Sequence, residues 1–331
     1  MIDTPPEPVP YYHGPPLKPY VGIRAGSRAF GAVALILGGL SGCMGLAVPL
    51  LLTVKQPGHP TVLRPSVVVA GALFYLAVGV AGIAFGLGAV RLRRWVRPLG
   101  MIGGVLGTLG GMAFVVIMAF SLSATEAEMR SRRSAAPVTA NVFPLLFLMI
   151  VLLGIIVPAL FFWFFRKPQV RAMLEYYDPA PRWTDKYPVP VLGLAVALAV
   201  FGLNELVSAP EAIAPIFGRV YSGPPTVGIH VAECAITFSL VPLVLRRRAI
   251  GWWGSLVLCL VLSVAYGATI VRADRIEQYR RAGFTNTQLT SMEMRGAAGQ
   301  LAAVVPQAIF SLAYLIYVRR YFLKARYKDT A

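Results

Sequence analysis

Apolar residues run through this chain in long unbroken stretches, with no alternation at period two. Eight stretches reach about 20 residues, the length a helix needs to cross a hydrocarbon core roughly 30 Å thick. They are Ala29–Val54, Ser66–Val90, Pro98–Leu122, Phe143–Phe165, Val189–Ser208, Pro225–Leu245, Ala249–Val271 and Ala298–Val318. The pattern predicts an all-α polytopic integral membrane protein with about eight transmembrane helices. The fifth run is shortened by Glu205, and the eighth carries Gln300 and Gln307. Pro158, Pro242 and Pro306 fall inside runs four, six and eight, where each removes a backbone donor and is expected to kink its helix.

The segments between the runs have their own patterns. Met1–Ser27 is rich in proline and tyrosine and lacks the basic start and short apolar core of a signal peptide, so it reads as a polyproline-like or disordered tail. Arg166–Pro188 places Val170, Met173, Leu174 and Tyr177 at i, i+3, i+4 and i+7, with Arg171, Glu175 and Asp178 off that stripe. This spacing predicts a short amphipathic helix on the inner membrane surface. Ala209–Gly223 is apolar for a loop and is expected to form either an interfacial helical lid or a loop buried against the bundle. Arg272–Arg295 predicts a helical extension of the seventh span stopped at Gly283, then a second helix capped by Thr285 or Asn286.

A weak internal repeat divides the chain. The basic turn V-R-L-R-R-W-V-R-P-L-G ends at Gly100, and V-L-R-R-R-A-I-G-W-W-G ends at Gly254, 154 residues on. Spans four and eight both exit into basic pairs, Arg166-Lys167 and Arg319-Arg320. These matches predict two parallel four-span halves: residues 28–166 and 189–319, with a tail over 1–27, an amphipathic linker over 167–188 and a basic tail over 320–331. The first half is rich in glycine. Gly103, Gly107 and Gly111 on span three, with Gly38/Gly42 and Gly82/Gly86, give the small-xxx-small spacing that lets helices approach closely.

Composition agrees with this reading. Only 14% of the 331 residues are charged and 57% are hydrophobic, against about 25% charged in soluble domains. The net charge of +17 sits at the ends of the apolar runs, so it marks topology and contact with anionic lipid rather than nucleic acid. With both ends of the chain inside, 20 of the 31 Lys and Arg fall on inner segments. That bias predicts a bacterial-type cytoplasmic (inner) membrane with both termini cytoplasmic. Arg93, Arg94, Arg247 and Arg248 are the expected lipid or partner contacts. Cys43, Cys234 and Cys259 form no CxxC pair and read as small apolar residues.

Chemistry has one candidate location. The fifth run carries Asn204 and Glu205, and the sixth carries His230 and Glu233 on one helix face. Counted from the outer ends at about 1.5 Å per residue, Glu205 lies roughly 6 Å deep, His230 roughly 8 Å and Glu233 roughly 12 Å. Two carboxylates at such depth call for a shared proton, a hydrogen-bonded partner or a cation. Three uses of the cluster are open: a structural one fixing helix register, a proton or cation site, and a metal site with His-x-x-Glu spacing. The third lacks a second histidine-bearing helix, so neither a metal nor another cofactor is expected.

Nucleophile elbows, zincin motifs and phosphate loops are all absent from the sequence. The expectation is therefore non-enzymatic: an accessory or interaction subunit of a membrane assembly, with membrane lipids and other subunits or a second copy as partners. The alternative is a small-solute or ion transporter using Glu205, His230 and Glu233.

Overall fold

A computed structural model describes residues 21–52, 65–131, 147–209, 213–272, 274–284 and 286–323. Among them, eight helices are long and apolar enough to cross a membrane. They are α1 (Val21–Ala47), α2 (Pro65–Val90), α3 (Val96–Ser131), α4 (Phe147–Arg166), α6 (Val189–Ser208), α7 (Pro224–Leu245), α8 (Ala249–Ile270) and α10 (Asn286–Val318). The short helices α5 (Pro168–Tyr177) and α9 (Arg275–Arg281) and a two-stranded hairpin lie between them. The protein is membrane-embedded and multispan. Large apolar side chains such as Ile36, Val80, Val264, Ile309 and Ile316 point outward from the spans, as lipid-facing positions do. Cys43 also faces outward rather than into the protein, and all three thiols are free.

Several boundaries differ from the expected ones. The first helix begins at Val21, inside the segment read as tail, so Arg24 and Arg28 are helical; the proline-rich stretch before it lies outside the described residues. Helix α3 continues to Ser131 through A-T-E-A-E-M-R, a sequence dominated by good helix formers. The non-helical backbone in the eighth span is at Gly296 (φ 59°, ψ −179°), ahead of Pro306.

Glycine sets how closely the first helices pack. Gly38 on α1 meets the backbone of Gly82 and Ile83 on α2, and Gly31 meets Gly86. On α3 the contact face is Gly100, Gly104, Gly107 and Gly111, which meet Phe165, the Pro158–Phe162 backbone, Pro158 and Gly154 of α4. Gly103 faces open space. Its neighbour Gly104 takes the contact, because one residue rotates a helix position by about 100°. Opposite Gly111, α4 widens into a π-turn at Leu152–Ile156. Pro158 follows and cannot donate to the Gly154 carbonyl, which lies four residues back. The helix therefore adjusts where its partner comes closest, as π-turns allow.

The halves meet where α2 lies against α6 and α3 against α10. Within the second half, α6 pairs with α7, and α8 sits beside α7 and α10. Its interior is apolar, built from Leu194, Leu198, Leu240, Val244, Trp252, Leu315 and Val318. Two polar side chains packed there reach backbone carbonyls of other helices: the Trp252 indole donates to the Leu315 carbonyl (2.8 Å) and the Tyr314 hydroxyl to the Pro190 carbonyl (2.8 Å).

One end of the bundle carries the basic turns. Helix α2 ends with the Leu92 N–H on the Ala89 carbonyl (3.2 Å) and the Arg93 N–H on the Gly88 carbonyl (2.8 Å). Helix α7 ends identically, Arg247 on Val244 (2.9 Å) and Arg248 on Leu243 (3.0 Å). These are Schellman caps, with Leu92 (φ 55°) and Arg247 (φ 52°) in the left-handed position usually given to glycine. At the same end, α5 forms where the i, i+3, i+4 stripe predicts. Val170, Met173 and Leu174 are fully buried, but against Ala89, Leu92, Val96, Phe164 and Phe165 rather than lipid. Burying each of these side chains stabilises by about 1.5–3 kcal/mol relative to water, so the linker is bound to the first half. Tyr177, the fourth residue of the stripe, is half exposed beneath the Arg24 guanidinium.

Asp178, expected on the polar side, is buried at the end of α5. Arg182 donates to both its oxygens (2.6 and 2.9 Å) and the Arg94 backbone N–H to one of them (3.0 Å). The Arg182 fork, with Arg94 and Arg93 behind it, holds this carboxyl below the ordinary aspartate range despite its burial. A depressed carboxyl contributes stability above its unfolded value and loses it as pH falls through the folded one.

Two outcomes follow. Gly104→Val, whose Cβ would meet the Phe162 nitrogen at 2.6 Å and the Pro158 oxygen at 2.7 Å, should lower stability in detergent unfolding by about 1–3 kcal/mol, while Gly103→Ala stays near wild type. Asp178→Asn should cost roughly 1.5–3 kcal/mol at neutral pH. The gap from wild type, followed by acid titration of thermal unfolding, should close only below about pH 4.

Candidate functional site

The described part of the segment after α6 is not a helical lid but a β-hairpin held against the bundle. Strands β1 (Ile213–Ile216) and β2 (Arg219–Ser222) pair antiparallel, Ile213 opposite Ser222 and Ile216 opposite Arg219. Phe217 (φ 47°) and Gly218 (φ 80°) form the two-residue turn. Positive φ at both central positions is the type I′ geometry that matches strand twist. Only the glycine was a signal for it in the sequence.

This register determines which backbone groups face outward. Counting from the turn, Ile216 and Arg219 form a hydrogen-bonded pair, Pro215 and Val220 a non-bonded one, and Ile213 and Ser222 another. Pro215, which has no N–H, therefore occupies a position that needs none. Groups on one side of the hairpin find partners on neighbouring helices. The Val220 N–H donates to Gln278 Oε1 (2.7 Å), Gln278 Nε2 to the Gly218 carbonyl (3.1 Å) and the Gly218 N–H to Thr269 Oγ1 (3.0 Å). Helices α8 and α9 thus grip one edge of the hairpin. Helix α9 is a separate turn of chain after a break past α8, not a continuation of it.

The other edge reaches the ionisable cluster. His230 Nε2 lies 3.2 Å from the Ile213 carbonyl. A carbonyl can only accept, so Nε2 carries a proton. His230 Nδ1 lies 2.7 Å from Glu205 Oε2 and 3.8 Å from Glu233 Oε2. Across the short contact, Nδ1 either donates to a carboxylate or accepts from a carboxylic acid; one proton placed on either atom satisfies both. Glu205 and His230 are buried at 4% and 3% exposure, and Glu233 is partly buried. Helices α6 and α7 bring the three together because they are antiparallel neighbours, and Glu233 follows His230 by three residues on one face.

Asn204 is not part of the cluster. It is exposed, one residue round the helix from Glu205. The four candidate arginines lie at the opposite end of the bundle: Arg93 near Asp178, Arg94 on Glu175 and Asp185, Arg247 on the Lys186 carbonyl, and Arg248 exposed.

One ligand atom each from Glu205, His230 and Glu233 lies within 4.8 Å of the others. A metal-bound imidazole commonly donates its second N–H to a carbonyl, and the Ile213 contact supplies that arrangement here. The same geometry suits a proton shared among the three side chains.

Removing one partner of a buried pair leaves an uncompensated polar group. His230→Ala should therefore destabilise by about 3–5 kcal/mol and speed amide exchange across residues 213–222. Glu205→Gln should cost less, since an amide can still donate to Nδ1. A double-mutant cycle of Glu205→Gln with His230→Gln, measured by detergent unfolding, should show coupling above about 1 kcal/mol.

Comparison with known proteins returns no match: no family model, no curated sequence and no solved structure resembles the chain.

Proposed function

We propose that this chain is a non-enzymatic interaction or accessory subunit of a membrane assembly in a bacterial-type inner membrane, with the basic end cytoplasmic and the hairpin outside. In this reading the Glu205–His230–Glu233 cluster is a clasp that holds the hairpin, and the hairpin with α9 is the surface offered to another subunit or a second copy. The observation that carries it is the contrast along the bundle axis. The cluster hydrogen-bonds to the hairpin backbone, whereas the interior between it and the basic end is filled by Leu194, Leu198, Leu240 and Val244. A clasp needs only the first of these; a transport path would need polar groups in place of the second. The matching Schellman caps of α2 and α7 support descent from a duplicated four-span unit.

The second reading is a proton or cation transporter. It is favoured by the convergence of three ligand atoms in a place where an ion or shared proton would relieve carboxylate repulsion.

Reconstitution in proteoliposomes separates the two. The subunit reading expects no proton or divalent-cation flux above empty vesicles, together with a native mass in mild detergent above that of one chain. Flux that Glu205→Gln and Glu233→Gln both abolish would overturn it in favour of transport. Thermal unfolding with and without divalent metals adds a check: no metal should shift wild type in a way that both Gln variants erase.

A further inference from the structure

The basic end contains a second constellation, separate from the clasp. The turn carrying Arg94 and Arg97, helix α5 and the short 3-10 turn Trp183–Lys186 enclose a cavity of about 220 Å³. Arg94, Arg97, Arg171, Glu175, Thr184 and Asp185 line it. The two carboxylates are already engaged. Glu175 accepts from Arg171 (2.8 Å) and Arg94 (3.2 Å), and Asp185 lies 3.0 Å from Arg94 Nε and accepts from the Arg182 backbone N–H (2.8 Å).

Arg97 is left over. Its side chain makes no hydrogen bond or ion pair among the described residues, and its Nε is buried without a partner. Thr184, which also lines the cavity and is only 1% exposed, carries a buried hydroxyl with no hydrogen-bond partner. A buried polar atom left without a partner destabilises the fold, and such atoms are rare in folded proteins. Two of them, on residues lining one cavity where three arginines face two carboxylates, call for a ligand that is anionic and accepts several hydrogen bonds.

We propose that this cavity binds a phosphate group, held by Arg97 and the Thr184 hydroxyl with Arg94 and Arg171 supplying field. A tetrahedral phosphate offers acceptors in several directions, which suits a planar guanidinium fork and a hydroxyl on different elements. Arg97 stands in the first turn of a membrane span, the level of lipid headgroups. The phosphate therefore comes either from a phosphomonoester headgroup or from a free ion in the aqueous phase.

The full chain, delipidated in a zwitterionic detergent, is titrated with inorganic phosphate and separately with phosphatidic acid in mixed micelles. Thermal unfolding is read against chloride at matched ionic strength. The expected result is a saturable stabilisation by at least one of the two. Response to phosphatidic acid alone assigns the site to lipid; response to both assigns it to phosphate reaching it from water. Arg97→Gln and Thr184→Val should each weaken the apparent affinity at least about tenfold, the loss of one charge-assisted hydrogen bond, while Thr184→Ser retains binding. Without ligand, Thr184→Val should unfold at or above the wild-type temperature, because it removes an unsatisfied hydroxyl. The proposal is overturned by no stabilisation from either source, by stabilisation that survives both variants unchanged, or by Thr184→Val destabilising the ligand-free protein.

Discussion

Glu205 is buried away from water, and the hairpin end of the bundle is arranged around that constraint. Its partner His230 comes from the next helix, so the 2.7 Å contact sets how α6 and α7 lie along each other. The imidazole has two nitrogens, and the second must also be satisfied. The carbonyl that does so belongs to Ile213, which is free only because the hairpin register places it in a non-bonded pair. A buried acid thus specifies a helix register, and the helix register in turn positions a strand. Gln278 and Thr269 secure the opposite edge of the same hairpin.

Charge is handled differently at the two ends. At the hairpin end, two carboxylates surround one imidazole, with Glu205 and His230 almost fully buried. At the basic end, Asp178, Glu175 and Asp185 meet a surplus of arginines in a partly wet interface. That surplus locks α5 and the 3-10 turn onto the first half, since the apolar stripe of α5 and its terminal Asp178 are engaged together. It also leaves Arg97 within the field of Glu175 and Asp185 but with no ion pair or side-chain hydrogen bond among the described residues.

Packing within the spans cannot rely on the hydrophobic effect, because lipid tails are as apolar as leucine. Close backbone approach replaces it in the first half, where glycines of α1 and α2, and of α3 and α4, meet through each other's backbones. The second half uses larger side chains, with Trp252 and Tyr314 each satisfying a buried donor on a neighbouring helix. It also carries the buried Glu205 and His230.

The eight long apolar helices and the α5 helix were legible in the sequence because their causes are local: a bilayer requires a continuous apolar run, and helical period places Val170, Met173 and Leu174 on one face. The pairing of Glu205 with His230 and Glu233 was legible too, since consecutive antiparallel spans bring matching depths together. Other features depended on contacts between distant residues. Asn204 and Gly103 stand one position away from residues that make contacts, and only the neighbouring helix decides which side faces it. The burial of Asp178 required Arg94, 84 residues earlier. The hairpin escaped notice because its carbonyls and amides are satisfied by His230, Thr269 and Gln278, partners that no local pattern announces. Sequence alone determined which segments are long and apolar enough to lie in a membrane, since solvation acts on each segment by itself. Tertiary structure alone decided which of their ionisable groups touch, because a hydrogen bond needs two atoms within about 3 Å, and helix rotation and strand register bring them there.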